Sequence, residues 1–353
     1  MSRLSQAVAQ ARASKTRLRI LGENTKQAWI PALDGEPLNV PDLAAGVIDY
    51  QPEELVVTVF GGTPIQLVVD TLAEHNQCFA FEPPTFNGGG TIGGMIATGF
   101  GGPARKWGGS VRDAVLGVEM VNGKAEALRF GGQVMKNVAG YDVSRLVAGS
   151  FGSLGVIEAA SLRVHPKTQT VQTLTLPSDL NEALTLCSSL RRQYLPLSGT
   201  WWHDGQLHLR LSGTEEGVSA ARDRLGGALN EDHELWRAVR DQTHSFYNGH
   251  AGADLFRVIV PPSVPGFGEG LDQSFEWGGG LRWIWHEDGA SLKDIVRSYG
   301  GWVWQQGAVP EITAGQRRLM QALKSAFDPD GIFVDPLASD APTSMGSGEG
   351  LAN

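Results

Sequence analysis

K-N-V-A-G-Y-D-V-S-R-L-V-A-G-S-F-G-S-L-G-V-I, Lys136 to Ile157, is the stretch on which the reading of this chain turns. Gly149, Gly152 and Gly155 recur every third residue, and Val156 and Ile157 follow directly. Glycine, with no β-carbon, lets backbone lie close to a flat ligand, at an entropic cost to folding. The β-branched pair suits a strand entering a core. Leu146 and Val147, beside Ser144 and Arg145, suit a short amphipathic turn before it. Taken alone, the spacing fits equally well a glycine-rich turn between helix and strand, because isolated glycine repeats are weak signals.

Two further stretches have the same texture. F-E-P-P-T-F-N-G-G-G-T-I-G-G-M-I-A-T-G-F-G-G-P occupies 81–103, and the glycines of the chain, 46 in all, are densest between Gly88 and Gly155. Near the N-terminus, Leu18 to Leu21 reads as a strand that runs into Gly22-Glu23-Asn24-Thr25-Lys26. A nest of backbone N–H groups in such a loop binds an anion without needing a lysine; a plain strand-to-strand turn is the alternative. No G-x-G-x-x-G stands between a strand and a helix with an acidic residue about twenty further on, and no G-K-[ST] P-loop is present.

The three stretches together resemble the PCMH-type FAD-binding domain of the vanillyl-alcohol oxidase family, shared with D-lactate dehydrogenase and the FAD-linked subunits of glycolate oxidase. The resemblance rests on Gly140, Tyr141, Asp142 and Arg145, then Gly149, Ser150, Gly152, Leu154, Gly155, Val156 and Ile157. F-G-G-Q-V-M-K-N-V-A-G-Y-D-V-S-R-L (130–146) and W-G-G-G-L-R-W (277–283) resemble in particular the smaller FAD-binding subunit of glycolate oxidase. The resemblance implies FAD as cofactor. It places the pyrophosphate on the loop of Gly22, Asn24 and Thr25. It sets the proline-led segment of Pro83, Pro84, Thr91, Gly93, Gly94, Ala97, Thr98 and Gly101 against pyrophosphate and ribityl chain. Gly149, Gly155, Val156 and Ile157 then border the ring, and Asp113 joins the cofactor set, although an ion pair with Arg112 at a strand start is the plainer reading of that residue. N–H groups exposed at the helix start after Thr91 would favour the dianionic pyrophosphate. Three positions depart from the family pattern: Glu23 replaces a small residue, while Thr98 and Asp335 stand where asparagine is usual. No His or Cys sits at an evident attachment position, so the flavin is expected to be non-covalent.

Composition bounds the rest. The chain has 353 residues, 41% hydrophobic and 19% charged, ordinary for a globular protein of two or three domains. A formal net charge of −9 argues against a nucleic-acid partner. No apolar run reaches transmembrane length, and the first residues read as an amphipathic helix too polar for a secretory signal. Cys78 and Cys187 are the only cysteines and cannot supply an iron–sulfur cluster. The expected location is the cytoplasm, with any contact at the inner membrane made through partners.

The expected fold class is α+β. A two-lobed FAD-binding domain spans 1–167 and an α+β cap with an antiparallel sheet spans 168–308. A C-terminal helix returning to the first domain spans 309–337, and 338–353 has the small, polar composition of a disordered tail. Ser110 to Val121 reads as one strand, turned at Asn122-Gly123 into a return strand over Ala125 to Phe130. Thr63-Pro64 reads as N-cap and first helical residue of the following helix. In the second half, strands are expected at 171–176, 199–203, 207–211, 255–260, 281–286 and 302–305, and helices near 179–193, 215–225 and 314–327.

The cap lacks the paired histidines and the H-x-D-G-N-x-H-like motif of catalytic family members. His286-Glu287-Asp288-Gly289 lacks a second histidine; His203 and His208 flank a turn without evident third metal ligands. No catalytic residue and no metal ligand is assigned. Arg257 and Arg282 are candidates to hold a substrate carboxylate, surface ion pairs being the commoner fate of such arginines. The resemblance therefore implies a subunit of a complex that oxidises glycolate, a small 2-hydroxy acid, to glyoxylate. A sister FAD subunit would carry the catalytic histidines, and an iron–sulfur subunit would take the electrons. A self-sufficient 2-hydroxy-acid or alcohol dehydrogenase and a non-redox structural subunit remain the alternatives.

Overall fold

The computed structural model describes residues 1–86, 88–132, 143–268 and 270–338. Gly140, Tyr141, Asp142 and all of the expected tail beyond Ala338 lie outside the described residues.

A five-stranded antiparallel sheet has the order Val47–Gln51, Val56–Phe60, Val156–Arg163, Val115–Val121, Ala127–Gly131. The helices Ile65–Ala73 and Ile92–Thr98 pack their apolar side on it, and Ile65, Val68, Leu72, Ile92, Ile96, Val57, Val59 and Leu162 are completely buried there. A second core joins the first helix, Arg3–Ser14, to the parallel pair Leu18–Leu21 and Glu36–Asn39. The chain end returns to this pair: Leu18 N–H donates to Ile332 O (2.7 Å) and Val334 N–H to Leu18 O (2.9 Å). Asp328 fixes that return, accepting from Ile332 N, Phe333 N and Lys324 Nζ.

The second sheet has eight antiparallel strands in the order Ala228–Asn230, Thr170–Pro177, Gln206–Gly213, Leu197–His203, Gln273–Glu276, Leu281–His286, Asp254–Ile259, Trp302–Gln305. Side chains alternate across such a sheet, and the two faces differ sharply. One is mainly aliphatic, with Trp202, Phe256 and Phe275 among its side chains, and is covered by the helices Leu180–Leu190, Glu215–Leu225 and Gly289–Ser298. The other, set by the register Ser274–Trp283–Arg257–Trp304, carries Trp201, Glu276, Trp283, Trp285, Trp302, Trp304 and Arg257 toward the glycine-rich loops.

Local chemistry overrides several expectations. Residues 110–121 are not one strand: Ser110 caps a short helix, Val111–Ala114, and Asp113 closes the capping box, its Oδ2 accepting from Ser110 N (3.0 Å) and Oγ (2.7 Å). Asn122-Gly123 does not make a two-residue hairpin. The Asn122 side chain accepts from Lys124 N and Glu126 N, spreading the turn over five residues, and a side chain at Gly123 would strike Asp328. Pro64, not Thr63, precedes the first helical residue. The Thr63 hydroxyl instead ties Gly46, accepting from its N–H at 2.9 Å and donating to its carbonyl at 3.0 Å. The strand Gln273–Glu276, four fully buried residues in mid-sheet, carries no sequence alternation to announce it.

Candidate flavin cleft and adjoining aromatic cavity

The three glycine-rich stretches meet. Close packing accounts for several glycines: a β-carbon at Gly22 would strike Thr91, one at Gly93 would lie 2.9 Å from the carbonyl of Gly61, and one at Gly61, which stands outside the three stretches, would strike the Ile157 carbonyl. The loops between them line a cleft that is about half open to solvent and encloses about 120 Å³. Gly22, Asn24 and Thr25 line it from the first stretch, Thr91, Gly93, Gly94, Ala97 and Thr98 from the second, and Gly155, Val156 and Ile157 from the third.

Gly94 differs from its neighbours. A β-carbon there would meet only Thr91 Oγ1, at 3.2 Å, so packing does not dictate the glycine and its missing side chain leaves space in the cleft. Gly155 is the opposite case. Its φ is +153°, and a β-carbon would lie 2.6 Å from both Met120 Cε and Val121 O. Its glycine is required by the sheet, not by a ligand.

The N–H inventory also changes the picture. Ile92 N donates to Thr63 O (2.9 Å), Gly93 N to Gly61 O (2.6 Å) and Gly94 N to Thr91 Oγ1 (3.1 Å). The helix start expected to offer donors to an anion has already used them. The free donors are in the first loop: among the described residues Glu23, Asn24, Thr25 and Lys26 donate no backbone hydrogen bond, and Asn24 has φ +57°. Consecutive donors in such a turn form an anion nest. Glu23 does not oppose it as its charge suggested; its Oε2 accepts from Gly90 N at 2.6 Å and ties two loops together. Thr98 turns its hydroxyl back to Gly94 O (2.8 Å).

Five predicted residues lie elsewhere. Asp113 is exposed and engaged with Ser110, an N-cap role. Pro83 is buried in a loop that the second half of the chain clamps: Asp241 Oδ1 accepts from Thr85 N (2.7 Å), Thr85 Oγ1 (3.0 Å) and Phe86 N (3.3 Å). Pro84 and Gly101 line a small cavity beside Glu276 and Arg257. Gly149 lines a larger, half-open cavity of about 400 Å³, together with Arg105, Arg257, Trp302 and Trp304. Thr98 and Phe151 line both this cavity and the cleft, so the two adjoin.

The larger cavity is built from side chains. The Arg257 guanidinium lies 5.5 Å from the Phe100 ring, 5.6 Å from Trp277 and 5.9 Å from Trp283; Arg105 lies 4.7 Å from Trp277. Rings and cations at these separations attract, yet neither guanidinium has a hydrogen bond or ion pair among the described residues. Burial and the like charge of Arg105 push the Arg257 guanidinium down to about 10, against the pull of Glu276. Glu276 accepts from Trp283 Nε1 at 2.8 Å, and burial pushes its carboxyl up to about 7, opposed by that hydrogen bond and by Arg257. It can therefore exchange a proton near neutrality.

Arg282 is not part of this site. Completely buried on the aliphatic face, it donates to the carbonyls of Gly279, Pro265 and Val264. His208 lies opposite Trp201, and His203 and His208 both pack on that ring. His208 Nδ1 is 2.9 Å from Thr175 Oγ1, and burial with the nearby His244 pushes it down to about 4. His286 Nδ1 accepts from Asp288 N in its own turn. Among the described residues no group of three His, Cys, Asp or Glu is placed to hold a metal ion.

The fold and the cleft define the class, a PCMH-type FAD-binding protein whose second sheet closes over the flavin domain. The family described as FAD binding domain matches residues 1–131. Glycolate oxidase subunit GlcE of Escherichia coli K12 is 38% identical over 336 residues, covering 94% of this chain and 95% of that protein. Glycolate oxidase subunit GlcD of Bacillus subtilis 168 is 36% identical over 128 residues, covering 36% of this chain but 27% of that protein. Among solved structures, alkyldihydroxyacetonephosphate synthase superposes with a TM-score of 0.64 at 14% identity, over 93% of this chain and 73% of that one, a likeness of fold alone. The chain belongs to the GlcE family of glycolate oxidase subunits, and its cofactor is FAD.

Sequence reasoning missed Lys26, Gly61, Arg105 and Glu276. The F-G-G of 60–62 was a usable signal for Gly61. Nothing marks Arg105 or Glu276, since what sets them apart is, for Arg105, the lack of an ion pair among the described residues and, for Glu276, the lack of solvent.

Proposed function

We propose that this chain is the FAD-binding subunit of a multi-subunit glycolate oxidase that converts glycolate to glyoxylate and passes electrons to an iron–sulfur partner. The end-to-end 38% identity to subunit GlcE carries the reading. Residues 1–167 serve as the flavin-binding domain, 168–308 as the cap, and 309–337 as the returning segment. The unpartnered N–H groups of 23–26 and the space over Gly94 support an extended anionic cofactor in the cleft, with Gly22, Asn24, Thr25, Thr91, Gly93, Ala97, Thr98, Gly155, Val156 and Ile157 around it. FAD, when bound, supplies a two-electron acceptor that can release electrons singly. Arg105 and Arg257, two cations without a carboxylate ion pair among the described residues, offer a seat for the carboxylate of a 2-hydroxy acid, and fixing it supplies orientation. The two cysteines cannot hold a cluster, so onward transfer rests on a partner. No helix among the described residues is long and apolar enough to cross a membrane; we place the complex in the cytoplasm, at the inner membrane only through partners.

One observation favours a second reading, a self-sufficient dehydrogenase. Glu276, titrating near neutrality beside Arg257, is an alternative to the missing histidine base, and a well-placed base contributes about 10²–10⁴-fold. The test is glycolate-dependent dye reduction by the purified chain and by the co-expressed complex. Activity in the complex alone supports the subunit reading; robust turnover by the chain alone overturns it in favour of the second.

A further inference from the structure

Lysine is almost never fully buried unless it is paired. Lys26 is only 8% exposed, and among the described residues its Nζ has no hydrogen bond and no carboxylate within 4 Å. It belongs to the cleft: Lys26 and Gly90 both line it, and Nζ lies 3.2 Å from the point where a β-carbon on Gly90 would stand. Gly90 has φ +99°, and its missing side chain makes room for the amine. The ring of Phe86 lies 5.4 Å away on the other side. The amine thus sits at the end of the loop whose four consecutive backbone N–H groups have no partner among the described residues.

The charges around it are already engaged. Glu23, on the same loop, is held by Gly90 N. Asp241, from the second half of the chain, is held by Thr85, Phe86 and the guanidinium of Arg240, the last at 2.6 Å. Neither carboxylate is free to turn to the amine without breaking these bonds. A buried cation, a nest of N–H donors and a cleft open to solvent meet at one place, the arrangement that a phosphate or pyrophosphate oxygen satisfies.

We propose that Lys26 is the cation that receives the pyrophosphate of the dinucleotide, and that cofactor binding takes up a proton at this amine. The inference rests on the FAD reading of the cleft and adds to it the residue that pays the electrostatic cost of binding a dianion in an acidic chain. Burial holds the amine down at about 8, with Asp241 and Glu23 opposing. A phosphate oxygen within reach raises it again, since an opposite charge favours the charged form. Between the two values binding consumes one proton, so affinity falls up to about tenfold per pH unit above about pH 8.

The experiment is FAD titration of the purified full chain and of Lys26→Met and Lys26→Arg, from about pH 7 to about pH 9.5. Circular dichroism checks the fold of each variant. The wild type is expected to weaken with rising pH. Lys26→Met is expected to bind about 10- to 100-fold more weakly at pH 7 and to lose the pH dependence. Lys26→Arg, charged throughout the range, is expected to keep most of the affinity while losing the pH dependence. A folded Lys26→Met that binds FAD as tightly as the wild type, or that keeps the same slope with pH, overturns the proposal. A wild type that binds no FAD at any pH overturns the cofactor reading itself, and the role of Lys26 with it.

Discussion

The cleft and the cavity beside it share Thr98 and Phe151 but are made of different material. The cleft is a backbone site, formed by three loops that approach closely because glycine removes the atoms between them. The cavity is a side-chain site, formed by tryptophans and arginines from two strands and a short helix far apart in sequence. A backbone site tolerates little change where loop packs on loop and more where it faces the ligand. A side-chain site can lose a charge without losing its fold. Each substitution below separates what holds the structure from what faces a ligand.

The largest effects belong to the backbone site. Gly155→Val is expected to lower stability by about 2–5 kcal/mol, adding strain at positive φ to a clash with Met120 and Val121. Gly94→Val is expected to keep the fold within about 1 kcal/mol of the wild type and to abolish FAD binding. Urea denaturation and flavin retention on gel filtration separate the two. Full FAD retention in folded Gly94→Val would show that the cofactor lies elsewhere.

Next comes a pair of arginines on opposite faces of one sheet. Arg282→Met removes the donor to three carbonyls, those of Gly279 and Val264 buried, and is expected to cost about 3 kcal/mol. Arg257→Met removes a cation that among the described residues has ring contacts but no hydrogen bond or ion pair, so stability should stay within about 2 kcal/mol. Affinity of the assembled enzyme for glycolate, or for a carboxylate inhibitor, should fall about 10- to 100-fold. Unchanged affinity would remove Arg257 from the anion site.

Asp241→Ala cuts the clamp on the Thr85–Phe86 loop and is expected to cost about 2–4 kcal/mol. Burial raises the Asp241 carboxyl, but the Arg240 and Thr85 hydrogen bonds outweigh it and hold the group below the usual range. Its contribution is therefore complete above about pH 4 and lost as pH falls through the lower folded value. Acid titration of wild type and variant should converge below that point. Divergence there would mean that the clamp is not ionic.

The smallest effect tests a correction. Asp113→Asn weakens a capping box and is expected to cost no more than about 1 kcal/mol, with FAD affinity unchanged. A large loss of FAD affinity would return Asp113 to the cofactor site.

The same contrast explains what could be read in advance. The cleft was legible because its constraint acts on backbone, and only glycine satisfies it: the clusters around Gly22, Gly93 and Gly155 mark the loops that meet. What could not be read was the reason for each glycine. Gly93 and Gly155 are filled by protein, Gly94 is not, and no spacing rule separates them. The helix start after Thr91 looked like an anion site because its N–H partners, Thr63 O and Gly61 O, come from another segment. Most of the strands of the second sheet were legible from their β-branched and aromatic runs. Gln273–Glu276 was not, because a strand buried on both faces loses its alternation. Arg257 and Arg282 look alike in sequence. Register alone places one in the cavity and the other against three carbonyls. Glu276 is one acidic residue among many until Trp283 and Arg257 surround it.

The central claim is that the cleft of this chain holds FAD, and the direct measurement is equilibrium titration of the purified, flavin-free chain with FAD. The account predicts saturation at one FAD per chain, with the flavin released unmodified on acid precipitation. A folded chain that shows no change in flavin absorbance or fluorescence with FAD in excess would contradict it.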